Sequence, residues 1–166
     1  MKAKLIMSPQ KVLMARTYLT MIRDNRIDEY IEYLYRHIHN TAILSADNHT
    51  MTCQMIVDKL VERMALKQII INTKNKIESL IKSLDPSTEK VIRFYFFDKM
   101  VGKALTEAIG ANNERAAYRK VEESLHIFAG AMERHGLNTY SFNYLMEESK
   151  WARGIMAEST SPYRQS

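Results

Sequence analysis

At 166 residues, with 46% apolar and 26% charged side chains, the chain suffices for one domain or two small ones sharing a long helix, and it is too apolar to be disordered. Its five glycines, three prolines and long hydrophobic segments favour an all-α fold. The net charge of +5 makes an acidic partner plausible, and the single cysteine excludes an internal disulfide.

In chain order, Ser8-Pro9 predicts the first helix start, with Ser8 as cap and Pro9 at the first helical position. Pro9, Gln10 and Lys11 interrupt what would otherwise resemble the apolar run of a secretory signal. Val12, Leu13, Tyr18, Leu19 and Ile22 form the apolar face of this helix, and Asp24-Asn25 breaks it. A second helix is expected from about Ile27, carrying Ile27, Tyr30, Ile31, Leu34, Tyr35 and Ile38 at three- and four-residue steps and fading near Asn40. Residues 45–49 read as a loop. Thr50 or Thr52 then opens the longest helical segment, which reaches Leu84 with Ile56, Val57, Leu60, Met64, Ile70, Ile77, Leu80, Ile81 and Leu84 on its apolar side. Unbroken, it would span about 50 Å. The β-branched run Ile69 to Thr73 is the expected place for a break, and Cys53 is expected to be a buried, inert thiol.

Asp85-Pro86 ends that segment and restarts the chain, since proline disfavours helix in the residue before it. The next helix presents Val91, Ile92, Tyr95 and Phe96, and the one after it Leu105, Ala108 and Ile109. Gly110 stands where a left-handed cap is needed. Asn112 is the expected cap of a third helix, and Glu114 complements its positive end. Ala117, Val121, Leu125 and Phe128 form the core side of this helix, leaving Asn113, Arg115, Tyr118, Arg119 and Glu122 facing outward. This is the grammar of a helix-turn-helix, whose last helix enters the major groove. Gly136 closes the third helix. A last helix, Thr139 to Trp151, carries Phe142, Leu145, Met146 and Trp151, and the chain from Gly154 is expected to be a mobile tail.

The run from Leu84 through Pro86, Val91, Ile92, Arg93, Phe96, Phe97, Leu105, Ile109 and Gly110 resembles the region-4 domain of bacterial sigma factors. The stretch Arg115 to Lys120, continued through Phe128-Ala129, resembles the ending common in small phage late-transcription regulators of the ArpU/RinA type. The resemblance covers about 45 residues well and implies a phage or prophage transcription regulator: helical interaction or dimerisation region 1–84, helix-turn-helix 85–136, C-terminal helix 137–153 and flexible tail 154–166. It departs at Gly102-Lys103-Ala104, where the family carries acidic and polar residues, and in the turn from Gly110 to Arg115, which is one residue longer than the family's when Ala117 is the core position.

The expected DNA-contact set is Lys99, Lys103, Asn112, Asn113, Arg115, Tyr118, Arg119 and Lys120. Arg115 and Arg119 lead it, because arginine is the usual bidentate reader of guanine. Double-stranded DNA is the expected partner, with RNA polymerase and a second copy of the chain as further partners. Residues 85–136 nevertheless carry eight basic and eight acidic side chains, while residues 1–84 carry thirteen and eight. That neutrality keeps a rival alive, a helical interaction module that binds RNA polymerase or another regulator without touching DNA. A terminase small subunit is the second rival, disfavoured by the C-terminal position of the motif. No enzyme, cofactor or metal is expected: His37 and His39 are two apart rather than four, no phosphate loop or catalytic grouping occurs, and Asp28-Glu29, Glu122-Glu123 and Glu147-Glu148 are adjacent pairs that point apart. No run reaches the ~18 apolar residues of a membrane span, so a cytoplasmic protein is expected.

Overall fold

Short polar side chains start most of the helices where the sequence places them. The computed structural model describes residues 7–47 and 52–160, and among these it is all-helical, with no strand. The helices are α1 (Pro9–Ile22), α2 (Arg26–Asp47), α3 (Cys53–Ser83), α4 (Pro86–Ile92), α5 (Gly102–Ile109), α6 (Glu114–Arg134), α7 (Thr139–Glu148) and α8 (Lys150–Ser159). Ser8, Thr52, Asp85, Asn113, Asn138 and Ser149 each accept a backbone N–H of the first turn they precede. Asp24 and Asn25, at φ 60° and 57°, reverse the chain between α1 and α2 in a left-handed conformation that Asp and Asn tolerate better than most residues.

Helix α1 lies at the centre. Its sequence between Val12 and Ile22 has one charged residue, Arg16, and eight of its fourteen residues are buried. A helix apolar nearly all round must be surrounded, and α1 touches α2, α3, α6, α7 and α8. Tyr18 meets Phe142 of α7 edge-on at 5.5 Å.

Helix α3 runs unbroken through Ile69 to Thr73, against expectation. Ile70 and Thr73 are buried, and β-branched residues cost a helix only a few tenths of a kcal/mol each, which such packing outweighs. Helix α2 continues past Asn40 to Asp47, so residues 45–47 of the expected loop are helical, while 48–49 lie outside the described residues. Helices α2 and α3 run antiparallel, tied by Lys74 to Asp28, by Lys67 over the Tyr35 ring at 5.0 Å and by Arg63 to the Thr41 hydroxyl at 2.6 Å. Most side chains of their far halves, over residues 35–43 and 52–65, are exposed. Tyr35, Val57 and Met64, expected on the apolar sides of their helices, are exposed, and so is Cys53, expected to be buried.

The C-terminal end also differs from expectation. Ser149 ends α7 and caps α8, which continues to Ser159 in place of a mobile tail from Gly154. Ala152, Ile155 and Ser159 recur at helical spacing and are buried, with α8 packed along α1. Glu158 receives Arg23 at 3.1 Å and Arg26 at 2.6 Å, and Trp151 stacks on Tyr30 at 4.4 Å. Residues 161–166 of the expected tail lie outside the described residues.

Candidate nucleic-acid interface

The helix-turn-helix segment is built outward from Asp85. Its carboxylate accepts the Thr88 N–H and both the Ser87 and Thr88 hydroxyls, which hold the carboxyl below the usual aspartate range. Helix α4 then widens into a π-type turn over Arg93–Phe97, closed by the Asp98 N–H on the Arg93 carbonyl at 2.9 Å. Lys99 follows in a left-handed conformation, φ 54°, and α5 begins at Gly102.

Helix α5 has eight residues, of which only Leu105 is fully buried. Ile109, expected in the core, is half-buried at the rim. Gly110 adopts φ 75°. Its N–H meets the Glu107 carbonyl and the Ala111 N–H meets that of Thr106, a Schellman closure that ends α5 cleanly. The cap of α6 is Asn113, not Asn112: its side-chain oxygen accepts the Ala116 N–H at 2.8 Å. The extra turn residue moves the start of α6 one position beyond the expected one. Ala117, Val121, Leu125 and Phe128 face the core as the spacing requires, and each is at most 1% exposed.

The expected contact residues divide. Arg115 and Arg119, one helical turn apart, are exposed on a shared face, with Asn112, Asn113 and Lys120 exposed around them. None of these three cations is ion-paired to a described residue. Lys120 lies across the helix, lining with Lys90, Ile109 and Ile127 a cleft of about 390 Å³ between α4, α5 and α6. Lys103 is 88% exposed at the start of α5, and a side chain at neighbouring Gly102 would meet the Glu114 carboxylate at 3.6 Å, so the starts of α5 and α6 lie together.

Two of the expected contact residues are engaged within the chain instead, Lys99 while still 53% exposed. Lys99 pairs with Asp24 at 2.7 Å, which joins the α1–α2 reversal to the α4–α5 joint and holds the Asp24 carboxyl low. Tyr118 is half-buried, edge-on to Tyr95 at 6.3 Å, and its hydroxyl accepts the Gly102 N–H at 3.1 Å. It locks the start of α5 to α6 instead of facing outward. Glu122, also expected outside, pairs with Arg16 of α1. Desolvation by burial pushes the neighbouring Tyr95 phenol up.

The residues that sequence reasoning missed belong to α1. Arg16 on Glu122, Lys11 on Glu133 at 2.7 Å and the Met7 N–H on His126 Nδ1 at 3.1 Å lay α1 along α6 from its third turn onward. What α1 leaves uncovered on α6 is the Arg115–Arg119 face of its first two turns. The signal available in the sequence was Arg16, the one charge in the apolar run Val12 to Ile22, which requires a partner when its helix is surrounded. Among the described residues no three His, Cys, Asp or Glu side chains gather to hold a metal, and no helix is long and apolar enough to cross a membrane. Neither a known protein family, nor a characterised protein, nor a solved structure matches the chain significantly.

Proposed function

We propose that the chain is a sequence-specific DNA-binding transcription regulator, phage or prophage encoded, that reads the major groove with the first two turns of α6. One observation carries the reading: Arg115 and Arg119 share an exposed face on the first two turns of a helix whose opposite side is locked into the core. Two guanidinium groups one turn apart suit the acceptor edges of successive guanines, and Lys120 suits phosphate. The phage assignment rests on the resemblance of the Leu84 to Ala129 segment alone.

The experiment is selection of bound sequences from random or genomic DNA, followed by titration of the variants. Arg119→Ala is expected to lose ~1–3 kcal/mol and relax preference at one base pair. Lys120→Ala is expected to weaken all sequences alike and to lower the salt slope by about one unit. A double Arg115→Ala, Arg119→Ala variant that binds and regulates like the parent would sink the DNA reading. The neutral charge of residues 85–136, and the cover that α1 lays over α6 beyond Glu122, favour one second reading. In it, the same open turns dock on RNA polymerase or another regulator, and the double variant loses that complex while never having bound DNA.

A further inference from the structure

The far half of α3 carries a second apolar stripe, on the side away from its own core. Val57, Leu60, Met64 and Ile71 recur at three-, four- and seven-residue steps, which places them along one side of the helix, with Val61 beside them. Val57, Val61 and Met64 are 50%, 58% and 56% exposed, whereas Leu66, Ile70, Thr73 and Ile77 of the same helix are buried. Tyr35 of α2, 61% exposed, extends the stripe across the seam, since Lys67, three residues beyond Met64, lies over its ring.

We infer that this stripe is where a second copy of the chain binds, forming a homodimer through α3. The area argues for it. The four half-exposed Val, Met and Tyr side chains each offer on the order of 100 Å² and the partly covered Leu60 and Ile71 add less, so the stripe presents roughly 500 Å² per copy. Pairing two stripes buries roughly 1,000 Å², at the threshold for a specific interface and short of the ~1,600 Å² of a standard one. A weak, reversible dimer fits that area; an obligate one does not. Composition argues for it as well. The exposed members Val57, Val61 and Met64 are uncharged, which suits an apolar partner and not phosphate, and a twofold axis sets the same apolar residues against themselves. The inference stands independently of what α6 binds.

Sedimentation of the full chain from about 1 to about 100 µM tests it. The parent is expected to pass from monomer to dimer over that range, and the Val61→Glu, Met64→Glu double variant is expected to remain monomeric, its dissociation constant raised at least about tenfold by carboxylates brought together across the axis. Both positions are solvent-facing, so far-ultraviolet circular dichroism and melting temperature should match the parent. Val61→Arg serves as a second, independent disruption should the double variant fail to fold. A parent that stays monomeric at about 100 µM overturns the inference. So does a dimer that survives both variants, or one abolished only by Tyr140→Glu on the exposed side of α7.

Discussion

Replacing Leu105 by alanine tests the architecture of the candidate interface at its most concentrated point. Helix α5 is too short to be stable alone, because isolated helices below about 12–15 residues are marginal in water. Its docking therefore depends on what it buries, and Leu105, at 0% exposure, is its one fully buried side chain. Truncation removes about three buried carbon atoms, worth roughly 0.8 kcal/mol each by transfer. The cavity left behind adds about 24 cal/mol per Å³ to the extent that α4 and α6 do not close over it. Together these give ~2–5 kcal/mol, a large share of the stability of a domain this size. Denaturant titration followed by circular dichroism measures the loss. Amide exchange should show α5 and the Gly110 turn opening well below the global unfolding free energy, while α1 and α8 keep their protection. A loss under about 1 kcal/mol with an unchanged denaturant slope would mean that Leu105 does not anchor α5, and the placement of α6 derived from it would fall.

Gly110→Val is expected to lower stability by ~1–2 kcal/mol, read as a fall in melting temperature. A Cβ there meets nothing within 4 Å, so the cost is that of the left-handed backbone itself, and Gly110→Asn should cost less. Asp85→Ala should cost ~0.5–2 kcal/mol through loss of the α4 cap, measured by the same titration. Asp85 and Asp24 both have carboxyls held below the ordinary value near 3.8, so each favours the folded state above that value and ceases to do so as the pH falls through its lowered folded-state value. The denaturation midpoint should accordingly decline as the pH falls below about 4, less steeply in Asp85→Asn; a midpoint that rises between about pH 4 and 3 would contradict it.

Local chemistry was legible in the sequence. The Ser8-Pro9 and Asp85-Pro86 starts, the break at Asp24-Asn25, the left-handed Gly110, the helix end at Gly136 and the stripe Ala117, Val121, Leu125, Phe128 all follow from what a short stretch of backbone and its nearest side chains can do. Each depends on contacts a few residues apart, so pattern and capping rules suffice. The sequence likewise placed Arg115 and Arg119 on an outward face, because their spacing opposes the core stripe. Tertiary structure decided the rest. Whether Tyr118, Lys99 and Glu122 were taken up by partners within the chain depended on Gly102, Asp24 and Arg16, the last two far from them in sequence. Whether the chain beyond Gly154 was helical depended on α1 offering Ala152, Ile155 and Ser159 a surface to bury against. Val57 and Met64 show the reverse case: helical spacing marks an apolar side, but only the arrangement of the other helices determines whether anything lies against it. Burial is a property of pairs of surfaces, and one-dimensional periodicity specifies only one member of each pair.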